Sequence, residues 1–188
     1  MLGRHCLFKC DEPKDRRYDC HGANMYVLDG TSMWQQRRLY RLYYTLQKQY
    51  YMMIQQVLFS VGPFVRGFHL ITRDVMRQLP VLPPTGLLNL FVQHTSCALT
   101  INENCDPDVR HDLKGIMERI VPDGDPNYRH QDEGPTDMSA HAKSSIVGTS
   151  INVPIVDGHL ALGTWQGLYL CEFREQGGAR RIVATIMG

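Results

Sequence analysis

Apolar positions along the chain fall into two regimes that meet near Met52 and Met53. Downstream the pattern is dense and regular. IQQVLFSV (54–61) reads as a strand broken by Gly62-Pro63. GFHLI (67–71) is extended, and Thr72 is placed to cap a short helix, RDVMRQL, stopped by Pro80. Residues 87–93 and 97–101 read as strands. Asp106-Pro107 is a helix start, a capping carboxylate followed by Pro where its missing N–H costs nothing. Val109, Leu113, Ile116 or Met117, and Ile120 then recur at helical spacing and predict a helix to about Val121. A polar loop (122–138) leads to a short helix at 139–148. Four strands follow, at 150–156, 159–162, 167–173 and 180–187, with Gly158 at a hairpin turn. Strands in runs, with helices segregated among them, predict an α+β domain.

Upstream there is little apolar periodicity. Cys6, Cys10, Cys20 and His21 resemble zinc ligands only faintly, because their spacing is not that of a standard zinc site. From Gly30 to Arg73 there is no acidic residue, and 34–51 is basic and aromatic, as a transit sequence or a surface helix would be. The expected division is a poorly structured or non-native extension at 1–52, with translation starting at Met52 or Met53, and a domain at 53–188.

Charge sharpens this division. The 188 residues carry a net charge of +1, but residues 1–52 hold a net of +4 and residues 53–188 a net of −3. A mildly acidic body argues against nucleic acid as partner. No apolar run reaches the roughly 20 residues that span a bilayer, so no membrane partner is expected. The six cysteines form no compact disulfide framework, which points to a reducing cytoplasm.

The candidate chemistry lies in the polar residues that end the strands. In LFVQHTSCALTINENCDPDV (90–109), one strand closes on His94 and two hydroxyls, and the next on Asn102, Glu103 and Asp106. If those strands are neighbours, both ends face one pocket mouth. His130 lies in the long polar loop and His141 at the start of the short helix, followed by Lys143. His69, His111 and His159 read instead as strand-face, surface and turn residues. Three neutral imidazoles on one centre make a sound site for zinc or a similar metal. Glu172 alternates with Leu168 and Leu170, so it is a carboxylate on an apolar face, and it needs a partner or a catalytic role. Arg180 and Arg181 follow Gly177-Gly178, and strand alternation sends them to opposite faces. Trp165 and Gln166 occupy a turn where a ring can either stack on a substrate or lie as a lid over the core. Cys97 and Cys105 have no local base, and there is no phosphate-loop or dinucleotide fingerprint.

HTSCALTINENCDPDVRHDL, YRHQDEG, HAKSSIVGTS, DGHLALGTWQGLYLCEFRE and GGARRIVATIMG, in that order, resemble the YjbQ-type secondary thiamine-phosphate synthase family. The resemblance runs from about Met53 to Gly188. It implies a compact α+β fold with a large, mostly antiparallel sheet and a few helices, assembled as a homotrimer. It also implies that His94, His130 and His141 converge on one pocket, and that Glu103, Asp106, Gln166, Glu172 and Arg180 fill recurrent positions.

The implied activity joins hydroxymethylpyrimidine diphosphate to a thiazole phosphate with loss of diphosphate. In that reading His94, Glu172 and Gln166 are catalytic. Lys143, Arg180, Trp165, Asn102, Glu103 and Asp106 bind the small phosphorylated substrates. The metal is either zinc-like at the histidines or Mg²⁺ on Glu103 and Asp106 with the diphosphate. Two alternatives use the same residues: a metal-dependent hydrolase of a phosphorylated small molecule, and a non-catalytic trimer that binds a metal or metabolite.

Overall fold

The computed structural model describes residues 53–188 and, before them, Arg38 alone. The expectations for the rest of 1–52, the faint zinc pattern included, lie outside the described residues. Tyr51–Gly188 forms one unit. Its strands are β1 (Ile54–Val61), β2 (Gly67–Leu70), β3 (Thr85–Val92), β4 (Cys97–Glu103), β5 (Ser150–Val156), β6 (His159–Leu160), β7 (Gln166–Glu172) and β8 (Arg180–Met187). Its helices are α1 (Thr72–Gln78), α2 (Pro107–Ile120) and α3 (Asp137–Val147).

Every strand pairing is antiparallel. The strands divide into a five-stranded sheet, β1-β8-β3-β5-β6, and a three-stranded sheet, β2-β7-β4. The α+β class is as the sequence predicts, with the large antiparallel sheet in two parts.

Alternation explains the layering. Leu88, Leu90 and Val92 of β3 and Ile182, Ala184 and Ile186 of β8 face the other sheet, where Leu99, Leu168 and Leu170 meet them. Truncating one such leucine to Ala costs about 2–5 kcal/mol. The opposite face of the three-stranded sheet (Phe68, Ala98, Tyr169, Cys171) packs on Met117 and Leu113 of α2 and Ala140 and Val147 of α3. β7 is therefore covered on both faces, which accounts for its unbroken apolar run LYLC.

Local sequence sets the helix ends. Asp106 caps α2 as predicted, accepting from Asp108 N–H at 2.8 Å. Thr72 does not cap α1. It lies inside the helix, and its Oγ1 accepts from Leu168 N–H at 2.9 Å, tying α1 to β7. α3 starts two residues before its predicted position and buries a polar face: Asp137, Ser139, Lys143 and Ser144 beside Ala140.

The second face of the five-stranded sheet shows three register rows. Ile54, Met187 and Leu87 form one; Gln56, Thr185 and Asn89 the next; Leu58, Val183 and Phe91 the third. None of these nine residues is charged, and Ile54, Leu58 and Phe91 are exposed.

Candidate functional site

α3 supplies the centre of the site. Asp137 and His141 stand four residues apart, a spacing that places both on one helix face. His130 comes from the preceding loop. The His130 Nε2 lies 2.7 Å from Asp137 Oδ2, and the His141 Nε2 lies 3.3 Å from the same oxygen. The two imidazole centroids are 5.4 Å apart. Ligand atoms of all three residues fall within 4.8 Å of one another.

Hydrogen bonding decides what this group can hold. His141 Nδ1 lies 3.0 Å from the carbonyl oxygen of Thr95. A carbonyl only accepts, so Nδ1 carries the hydrogen, and in the neutral ring Nε2 presents a lone pair to the Asp137 carboxylate. A proton on Nε2 or a metal ion between the two groups satisfies this contact. Arg174 grips the other carboxylate oxygen of Asp137, fixing its orientation as an outer partner fixes a ligand. Two imidazoles and a carboxylate form a donor set suited to zinc or a similar ion.

Beside it lies a second group. Glu172, 0% exposed, takes Arg180 in a bidentate pair: Nε to Oε2 at 2.6 Å and Nη2 to Oε1 at 2.6 Å. Its Oε1 also accepts from Arg174 N–H at 2.9 Å. With its oxygens so engaged, Glu172 orients Arg180 and is not a free base. Burial alone would lower the Arg180 pKa, but the bond to Glu172 outweighs it and raises the value. Arg180 faces inward and Arg181 outward, as alternation predicts. A Cβ on Gly177 would collide with the Glu172 carboxylate and the Arg180 guanidinium, so the loop closes over the pair only with glycine there.

His94 belongs to this second group. Its Nε2 accepts from Arg181 N–H at 2.8 Å, and its Nδ1 faces Arg180 Nη1 at 3.4 Å. Burial, then the charges of Arg180 and Arg181, lower its pKa. Of the predicted set of His94, His130 and His141, the structure groups His130 and His141 with Asp137, while His94 lies against Arg180 and Arg181.

The predicted common pocket mouth is corrected. β4 and β7 pair with Cys97 opposite Glu172 and Glu103 opposite Gln166. Six residue steps at about 3.4 Å put those ends roughly 20 Å apart. His94 is near the first end; Asn102, Glu103, Asp106, Trp165 and Gln166 are at the second. There the side chains hold turns. Asn102 Oδ1 accepts from Glu103 N–H at 2.8 Å, and Gln166 Oε1 accepts from Gly163 N–H at 2.8 Å. The Glu103 carbonyl receives the Tyr169 hydroxyl, Asp106 serves as the α2 cap, and Trp165 is 62% exposed. Within one chain, Gln166 does not share a site with His94 and Glu172, nor does a Mg²⁺ site on Glu103 and Asp106 adjoin the histidines.

Lys143 is buried under α3, its Nζ 3.4 Å from Asp123 Oδ1. Burial, then the charge of Arg66, lower its pKa. Asp123 also receives Arg66 twice and the Ser139 hydroxyl. Burial would raise its pKa, but these bonds and the Lys143 charge bring it down to about 2. Burial pushes the Cys97 thiol up to about 12, so it is no nucleophile. His69 stacks on Phe64, and His111 and His159 bond only locally. Sequence reasoning missed Asp137, Arg174, Asp123 and Arg66. The Asp-x-x-x-His spacing of 137 and 141 was the available signal for the first.

Residues 60–188 match the family described as UPF0047 protein YjbQ-like. The chain belongs to this family. It is 52% identical over 125 residues to UPF0047 protein YjbQ of Escherichia coli O157:H7, covering 65% of this chain and 90% of that one. It is 46% identical over 104 residues to UPF0047 protein sll1880 of Synechocystis, covering 55% and 71%. Among solved structures, the conserved hypothetical protein TT1486 of Thermus thermophilus superposes with a TM-score of 0.60 at 38% identity, over 68% of this chain and 97% of that one.

Proposed function

We propose that the chain is a metal-dependent transferase of the secondary thiamine phosphate synthase type, joining hydroxymethylpyrimidine diphosphate to thiazole phosphate. One observation carries the metal part: His130 and His141 both turn Nε2 toward the same Asp137 oxygen, with ligand atoms of all three residues within 4.8 Å of one another. The transfer itself rests on the family resemblance. His130, Asp137 and His141 would hold a divalent, zinc-like ion, which would supply positive charge to a phosphoryl oxygen. Arg180 attracts the departing diphosphate, and Glu172 keeps Arg180 aimed. His94, its pKa lowered by burial and by the charges of Arg180 and Arg181, lines the same end.

The roughly 20 Å between the two ends of β4 favours a second reading. With Glu103 and Asp106 remote, one metal centre serves the site, and that suffices for hydrolysis of a phosphorylated small molecule. Incubating the full chain with both substrates separates these readings. Thiamine phosphate supports transfer; release of phosphate from either substrate alone, without condensation, sinks it in favour of hydrolysis.

Self-association as a homotrimer fits the uncharged second face of the five-stranded sheet, where Ile54, Leu58 and Phe91 are exposed. Free thiols at Cys97, Cys105 and Cys171 fit a reducing, cytoplasmic location. No helix among the described residues is long and apolar enough to cross a membrane.

A further inference from the structure

We propose that the loop 124–135 is a lid over the Asp137 carboxylate, fastened to α3 by His130 when an ion is bound and released when it is not. This rests on the reading of His130, Asp137 and His141 as a metal centre, and it adds how that centre is entered and closed.

The neck of the loop is pinned. Gly124 N–H donates to the Pro135 carbonyl at 2.9 Å, so the two ends of the excursion meet. Just before it, Asp123 receives Arg66 twice and the Ser139 hydroxyl of α3. Gly124 and Gly134 have φ of +64° and +96°, a backbone freedom suited to hinge positions. The tip is held differently. No residue of 122–136 is buried, and none joins either hydrophobic core. Its bonds are mostly to itself or its own stem: Asn127 to Asp125, Tyr128 to Asp125 and the Pro122 carbonyl, Gln131 to the Tyr128 carbonyl. Beyond the neck, two polar contacts among the described residues tie it to the body. His130 Nε2 lies 2.7 Å from Asp137 Oδ2, and the Glu133 carbonyl accepts from Arg174 Nη2 at 3.4 Å. A segment with few buried groups and mainly local bonds opens at low cost.

Exposure of the three ligands points the same way. The Asp137 side chain is 3% exposed, that of His141 31% and that of His130 48%. An ion reaches a carboxylate so covered only when something moves aside. Core packing through Ala140 and Val147 holds α3, which leaves the loop to do so. Once the ion is in, the His130 imidazole bonds it only from the closed position, and that differential contact shifts the loop toward closure.

The test follows hydrogen–deuterium exchange by mass spectrometry in the full chain, metal-free and saturated with zinc, with zinc content measured on the same samples. Zinc should slow exchange across 125–133 about tenfold and leave the paired strands β3 and β8 unchanged. His130→Ala, loaded at higher zinc through Asp137 and His141, should exchange there as the metal-free chain does. Zinc held at about one per chain with exchange across 125–133 unchanged overturns the lid and leaves the metal centre standing. So does equal protection in His130→Ala. Should His130→Ala hold no zinc, His130→Cys decides: it returns a ligand atom to the tip, and a loop left unprotected in its zinc-loaded form overturns the proposal. A chain that takes up no zinc sinks the metal centre, and the lid with it.

Discussion

The two ends of the β4–β7 ladder carry similar polar residues and do different things with them. At the Glu172 end, side chains from β8, α3, the loop before α3 and the stretch after β3 converge, and charged side chains are set against one another, Arg180 against Glu172 and the two histidines against Asp137. At the Gln166 end, Asn102, Asn104 and Gln166 bind the backbone of their own or adjoining turns. Polar residues that satisfy backbone groups shape the chain, whereas charged and imidazole groups set against each other are positioned for a ligand. The stretch LFVQHTSCALTINENCDPDV thus contributes to both ends. His94, Thr95 and Ser96 hold Arg181, His141 and Arg180; the Asn102–Asp106 segment holds a turn and a helix end.

That contrast can be broken by substitution. Glu172→Gln leaves Arg180 buried without its counter-charge and should cost about 3–5 kcal/mol in urea unfolding. Gln166→Ala, at the other end, should cost under about 1 kcal/mol; equal losses would erase the distinction. Arg174→Met removes the group that orients Asp137 and should weaken zinc affinity about tenfold or more in a competition titration. Asp106→Ala deletes the α2 cap, costing about 1 kcal/mol while zinc affinity stays unchanged. Asp123 gives a comparably small effect, read from pH dependence. Its folded pKa is depressed from 3.8 to about 2, so its contribution is complete above pH 4 and is lost as pH falls toward 2. Discounted for partial exposure, that is about 1 kcal/mol. Unfolding of Asp123→Asn should lack this part of the acid slope.

Much of the fold was legible because its signals are local. The Asp106-Pro107 start of α2, the two-faced burial of β7 and the opposed directions of Arg180 and Arg181 all follow from spacing within one element. What failed was non-local. Nothing in the residues themselves says that β3 and β4 join different sheets, which is why the sequence pattern suggests one mouth for His94 and Glu103. His130 and His141 were legible as candidates. Asp137 was not, since the predicted start of α3 falls two residues late and leaves it in the loop. Once it is helical, its spacing from His141 makes the pair evident.

The most direct measurement is metal content, by elemental analysis, of the full chain loaded with zinc and dialysed, beside Asp137→Asn and His94→Ala. With His130, Asp137 and His141 as the ligands, Asp137→Asn should lose the metal and His94→Ala should retain it near one per chain. Loss in His94→Ala with retention in Asp137→Asn would contradict the account.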